Sequence, residues 1–231
     1  MNGIIATLSH ELERRGLDLT KTFRVGKYNE YFNNDKCLKL NTSFSKYGDN
    51  SLAVLVGNTK AIWKPFVSSY VTQYENEKNP LDKYVFDSVH SVLDESFPKH
   101  KVYFSHEMQS ENKPVVAIQR AAHISKLAFY DDQCTFLSIH KKYGPWIALR
   151  CVIVFELEYI DEIEGESFCN PCGEDTKNLI SCAMREAFDN AHDWRMWLKM
   201  RDVCGKDFLQ EYRYSVNQIE YHYTKNKLLI N

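Results

Sequence analysis

The chain has 231 residues, of which 44% are hydrophobic, 26% charged and 13% aromatic. This is ordinary globular composition, and the length is enough to bury a sizeable core in a single domain. Its 29 basic and 31 acidic residues give a net charge of −2, which leaves no basic imbalance for a generic nucleic-acid partner.

Ile4, Ile5, Leu8 and Leu12 recur at helical spacing and Gly16 follows as a stop, so the pattern predicts a first helix over roughly residues 2–15. The same segment gathers charge too early for a signal peptide. The longest apolar run, around Cys151 to Phe155, is too short to span a bilayer. Seven cysteines at irregular spacing read as free thiols. The expectation is therefore a cytoplasmic protein without a membrane or nucleic-acid partner.

Ser51 to Gly57 (SLAVLVG) reads as a short strand, with Asn58 or Thr59 placed to cap the helix that follows. Pro65 is expected to bend or interrupt that helix. Asn79-Pro80 supplies a cap and an N1 proline for a helix carrying Leu81, Tyr84, Val85, Val89 and Leu93. The middle of the chain then turns to β-branched and aromatic residues. Strands are predicted over Val102–Met108, Val115–Arg120, Thr135–His140 and Trp146–Glu156, with YGPW joining the last two as a hairpin. HISKLAFYDD between them fits either a short helix or a turn. From Glu174 to about Val203 one long helix is predicted, with Leu179, Ala183, Phe188, Ala191, Trp194 and Leu198 on its broad apolar face. Helices before, between and after a run of strands point to an α+β fold with an antiparallel sheet.

Arg150 is the residue that physics singles out. The strand WIALRCVIVFE is apolar at nine of its eleven positions, which implies burial on both faces. Alternation places Arg150 with Trp146, Ala148, Val152 and Val154. A guanidinium there keeps its proton and needs an anion, either an internal Asp or Glu or the acid group of a ligand. Cys169-Asn170-Pro171-Cys172 is a CxxC; Cys182 and His192 would have to complete a zinc site, and a solvent-facing loop carrying two thiols is the plainer reading. His123, in AAHIS, reads as a hydrogen-bonded core histidine. The residues alone lead to an α+β domain with a buried arginine.

PVVAIQRAAHISKLAFY, SIHKKYGPWIALRCVIVF, VGKYNEYF, Lys64-Pro65-Phe66 and HDWRMWLKMRD are blocks that together resemble the MMACHC (CblC) family. PVVAIQRAAHISKLAFY from Pro114 resembles its proline-led stretch running into Gln, Ala-Ala-His and aromatics. SIHKKYGPWIALRCVIVF resembles its strand pair around G-x-W-x-A-I/L-R. VGKYNEYF and Lys64-Pro65-Phe66 match the N-terminal half, and HDWRMWLKMRD resembles the family's tryptophan-rich helix ending in Arg-Asp. The resemblance implies an antiparallel sheet flanked by helices, like the flavin-dependent nitroreductases, with a cap over a large pocket. One cobalamin-processing domain would divide into a core of about residues 1–160 and a C-terminal loop and helical cap of about 161–231. It implies an enzyme, alkylcobalamin dealkylase and cyanocobalamin reductase, that binds cobalamin base-off and removes its upper axial ligand. Glutathione would be the thiol co-substrate, reduced FMN or FAD the electron source, and a downstream cobalamin-trafficking protein the partner. Cobalt would arrive in the corrin, with no metal site of the protein's own.

Carried onto this sequence, the resemblance implies a corrin-contacting strand of Val116, Ala117, Ile118 and Gln119, with His123 just beyond. Tyr130, Asp131 and Asp132 form the next contact segment, and Ser138 and Leu149 face the ligand from the hairpin. Ser105 aligns with a contact position without matching it. Arg150 and Arg201, with Lys227 in place of a third arginine, would hold the glutathione carboxylates. Ser138 replaces a family cysteine, and Phe136 stands where a glycine is usual, which is expected to narrow the pocket or reshape the hairpin.

Overall fold

The computed structural model describes residues 2–32, 38–93, 97–109, 112–132, 135–160 and 168–230. The acidic DEIEGES segment and Cys37 and Cys134 lie outside them. Helical spacing turns Leu8 and Leu12 of α1 (Asn2–Glu13) inward. Gly16 then adopts φ +77°, and a Cβ there would fall 2.5 Å from the Cα of Ile62. β1 (Leu19–Arg24) and α2 (Val25–Tyr31) were not anticipated, although LTKTFR buries Leu19 and Phe23 at strand spacing.

β2 (Ser51–Asn58) is buried along its whole length. Thr59, not Asn58, caps the turn after it, accepting from Ala61 N at 3.2 Å. Pro65 does not interrupt α3 (Trp63–Ser69); it falls within the first turn, where a missing N–H costs nothing. The helix loosens later, into a π-turn over Tyr70–Tyr74. α4 (Pro80–Val92) starts at its proline as expected, although Asn79 makes no side-chain cap.

β3 (His100–Phe104) is shorter than predicted, and no strand covers residues 115–120. Ile118, Ala121 and Ala122 instead follow the i, i+3, i+4 stripe of α5 (Ile118–Ile124), and the two alanines are fully buried. Val115 and Val116 carry the β-propensity, but it is packing of the following stripe that sets the local structure. The predicted hairpin is absent as well. β4 (Phe129–Tyr130) and β5 (Ser138–Ile139) pair with each other, while β6 (Ala148–Glu158) joins the main sheet. The single long helix is two, α6 (Glu174–Asp189) and α7 (Trp194–Gly205), because Asp193 caps a fresh start by accepting from Arg195 N at 3.0 Å. With the break, the buried face of α6 is Ile180, Ala183, Met184 and Ala187, and Leu179 and Phe188 stay exposed. α8 (Val216–Thr224) follows.

The main sheet runs β1-β2-β6-β3 with every pair antiparallel. On one face, Leu52, Val54, Val56, Cys151, Ile153 and Phe155 pack with Leu8, Phe66, Val85 and Tyr221 from α1, α3, α4 and α8. On the other, Ala53, Leu55, Val152 and Val154 pack with Tyr28 of α2 and Ala121 and Ala122 of α5. The helices α6 and α7 form a further cluster with Ile139 of β5. No helix among the described residues is long and apolar enough to cross a membrane.

In the turn after β5, His140 Nδ1 accepts the backbone N–H groups of Lys142 and Tyr143 at 3.0 and 3.2 Å. Burial, aided by the Lys142 charge, pushes the His140 pKa down to about 4. The folded value lies below the unfolded value of 6.5, so the unfolded chain binds more protons between them. Stability from this group is therefore complete above pH 6.5 and is lost as pH falls toward about 4. Urea unfolding is expected to show a loss on the order of 2–3 kcal/mol across that window. The slope should flatten in His140→Gln, and an unchanged slope would remove His140 as its source.

Candidate functional site

Beside the central strand opens a cleft of about 380 Å³, lined by Ser105, Ile118, Gln119, Leu137, Ser138, Pro145, Ile147, Leu149 and Arg201. Each wall comes from a different element: the residue after β3, the start of α5, β5, the β5–β6 connection, β6 and α7. The walls are mainly apolar. The Ser138 hydroxyl is buried there with no hydrogen-bond partner, which marks a polar position that a ligand would satisfy.

Of the residues expected from sequence to meet a corrin, Ser105, Ile118, Gln119, Ser138 and Leu149 converge on this cleft. Ile118 and Gln119 reach it from the first turn of a helix instead of a strand. Val116 is core behind the cleft, and Ala117 donates its N–H to the Tyr28 hydroxyl at 2.9 Å. His123 Nδ1 accepts Tyr130 N at 3.2 Å, and its ring meets Phe129 and Phe168 edge-on. Burial, then the Arg120 charge, lowers its pKa. Tyr130, Asp131 and Asp132 are likewise engaged outside the cleft's lining. Arg120 pairs with Asp132 and lies over the Tyr130 ring at 5.0 Å, while Asp131 accepts from Thr135 Oγ1 at 3.1 Å.

Phe136 adopts φ 51°, the left-handed conformation that favours glycine. The side chain is 48% exposed and does not line the cleft, so it does not narrow it. Its carbonyl accepts Gln119 Nε2 at 2.9 Å, so the strained turn fixes the orientation of a cleft residue.

Arg150 departs from the simple alternation. Gly57 faces Leu149 and Val56 faces Cys151, so Arg150 is an extra residue bulged out of the β2–β6 ladder. At Gly57 a Cβ would meet the Ala148 carbonyl at 2.7 Å, so the opposing strand can follow the bulge only as glycine. The bulge sends Leu149 to the cleft and turns Arg150 away from Val152 and Val154, toward α4 and α8. There its side chain is 12% exposed; Nε donates to Asn58 Oδ1 at 2.6 Å and Nη1 lies 3.9 Å from Asp82. This weak internal ion pair leaves Nη2 buried without a partner. Arg150, Arg201 and Lys225 all act on His222, whose pKa lies well below the ordinary histidine value through burial and these charges; its Nε2 is also buried and unpartnered. Arg201 bonds the carbonyls of Pro145 and Ile147 and lies over the Trp146 ring at 5.2 Å. Lys227 is not part of this group; its Nζ donates to the Glu75 carbonyl at 3.0 Å.

Leu137, Pro145 and Ile147 in the cleft, and Asn58, Asp82, Tyr214 and His222 around the arginines, were not anticipated. Only Asn58 offered a cue, as a polar residue closing an otherwise apolar strand. The CxxC is not a solvent-facing pair either. Cys169 is exposed, but Cys172 is buried against Cys204, and among the described residues no three His, Cys, Asp or Glu side chains are grouped as for a metal.

Fold and cleft define an α+β protein whose antiparallel sheet is covered by helices on both faces and whose mostly apolar cleft carries a cation at its edge. The sequence matches the family model MMACHC: Methylmalonic aciduria and homocystinuria type C family over residues 16–229, and the chain belongs to that family. It is 25% identical over 240 residues to the cyanocobalamin reductase / alkylcobalamin dealkylase of Danio rerio, covering 96% of this chain and 88% of that protein. The Gallus gallus protein of the same name is 30% identical over 152 residues, 58% of this chain and 59% of the relative. The fold is similar to the crystal structure of a C. elegans B12-trafficking protein CblC, a human MMACHC homologue. The TM-score is 0.74 at 20% identity, with 96% of this chain and 90% of the other covered.

Asn58 is the Arg150 partner whose removal isolates the charge. Asn58→Leu is expected to cost roughly 2–4 kcal/mol in urea unfolding by leaving a buried guanidinium under-bonded. Adding Arg150→Met should recover most of that loss, and simple additivity would show that the two side chains are not coupled.

Proposed function

We propose that this protein binds cobalamin base-off in the cleft beside β6 and removes its upper axial ligand, dealkylating alkylcobalamins and decyanating cyanocobalamin. The observation that carries the reading is the convergence, in a member of this family, of Ile118, Gln119, Leu149 and the unsatisfied Ser138 hydroxyl on one open cleft. A corrin with its nucleotide tail is larger than about 380 Å³, so it projects beyond the cleft, which the C-terminal segment of about residues 161–231 borders through Arg201 of α7. That segment acts as a cap on the core of about residues 1–160, in an arrangement we liken to the flavin nitroreductases. This reading gives cobalt no lower protein ligand.

Glutathione is the thiol of this reading. Its thiol loses its proton to solvent, the thiolate lone pair attacks the axial carbon, the S–C bond forms, and the Co–C electron pair stays on cobalt, giving a thioether and cob(I)alamin. Arg150 and Arg201, which flank Tyr214 and His222 together, take the glutathione carboxylates. The unpartnered Nη2 of Arg150 is the donor that such an acid would satisfy. Lys225, coupled to Asp82 and Arg150, supplies the third cation in place of Lys227, which is held at Glu75. A reduced flavin (FMN or FAD) is assigned no seat of its own, because the apolar wall that suits its ring is the corrin's; it delivers electrons as a diffusible reductant. The product passes in the cytosol to a downstream trafficking protein.

Methylcobalamin added to the purified protein should shift to a base-off spectrum, and anaerobic glutathione should then yield S-methylglutathione. A shift without thioether would leave a carrier, and no shift would end the proposal. Leu149→Glu is expected to abolish the shift. Arg201→Gln should spare it while raising the glutathione requirement roughly tenfold or more. Equal loss of both in Arg201→Gln would make that arginine structural.

A further inference from the structure

Cys172 lies just before α6 and Cys204 in the last turn of α7, yet their Sγ atoms are 3.7 Å apart. Cys172 is 5% exposed and Cys204 fully buried, within a cluster that includes Ile139, Ile180 and Met200. A disulfide holds its sulfurs about 2.0 Å apart, so a small side-chain movement separates the two states. The backbone around the pair is already tied. Asp207, three residues beyond Cys204, accepts from Gly173 N at 3.2 Å and from Thr176 Oγ1 at 2.9 Å. The segment ahead of α6 is thereby fixed to the end of α7 on either side of the sulfurs. Neither thiol belongs to the cleft or to the arginine group.

We propose that Cys172 and Cys204 form a thiol–disulfide exchange site that is oxidised by small-molecule disulfides. Cys172 is the attacking thiol, because it keeps a sliver of exposure, 5%, and Cys204 keeps none. The hydrogen bond between the two sulfurs also lowers the Cys172 pKa, while the same contact and burial raise that of Cys204. The Cys172 thiolate attacks one sulfur of the small disulfide, whose S–S bond breaks and whose other half leaves as a thiolate. Cys204 then attacks the Cys172 sulfur, and its proton goes to the second small thiolate, which departs as a thiol. The two protein thiols are oxidised to one disulfide, and the small disulfide is reduced to two thiols.

The probe is oxidised glutathione. Purified protein would be equilibrated with it, free thiols blocked with a maleimide, and the digest read by mass spectrometry. The expected result is a Cys172–Cys204 linked peptide, reversed by reductant, with the melting temperature raised roughly 5–10 °C because the link closes a long loop. Cys204→Ser should instead trap Cys172 as a mixed disulfide with glutathione, and Cys204→Ala serves if the serine disturbs the apolar cluster. Cys169→Ser should still form the link; its failure to do so would overturn Cys172 as the attacking thiol. Recovery of Cys172 and Cys204 as maleimide adducts after equilibration, or a Cys169–Cys172 link, would overturn the site.

Discussion

Strand β6 is paired on both edges and covered on both faces, and the one-residue bulge at Arg150 decides what each face receives. A regular ladder would have placed Leu149 with Cys151, Ile153 and Phe155, and Arg150 with Val152 and Val154. The bulge exchanges them. Leu149 becomes a wall of the cleft, and the guanidinium enters a polar pocket between α4 and α8. A charge on the α2–α5 face would meet Ala121, Ala122 and Tyr28, none of which can neutralise it.

Two environments result, one on either side of the same strand end. The cleft is apolar apart from Gln119, the serine hydroxyls and Arg201. The pocket behind it gathers Arg150, Lys225 and His222 with Asp82 as the carboxylate opposite. Arg201 belongs to both, since it lines the cleft and also acts on Tyr214 and His222. Burial keeps His222 neutral among these cations, so it adds no further positive charge to a region that is short of acids.

Much of the fold was legible because long apolar patterns govern it. SLAVLVG, the Pro80 helix and the continuous run at β6 each form the element their composition or spacing predicted. What failed was short or depended on distant packing. VVAIQR has strand propensity but follows the stripe of Ile118, Ala121 and Ala122 into a helix, and the α6–α7 break hangs on a single aspartate cap. The residues carried over by resemblance divide between the cleft and the rest of the fold for a similar reason. Ile118, Gln119, Ser138 and Leu149 reach the cleft, whereas Val116 is spent on the core, Asp132 on Arg120, and Lys227 on a carbonyl across the fold. No sequence pattern encodes a bulge, and the Cys172–Cys204 approach, 32 residues apart, has no local trace.

The sheet order β1-β2-β6-β3 also has a consequence in time. The strand at its centre is the last of the four to be synthesised. Until residues 148–158 leave the ribosome, β2 has a partner on one edge only, and β3 has none in the sheet. The nascent chain therefore carries an apolar strand with an open edge over the whole interval between the synthesis of β2 and that of β6, a state prone to pairing with other chains. Completion requires closing a loop of roughly ninety residues between β2 and β6, which favours slow folding and gives chaperones a defined segment to shield.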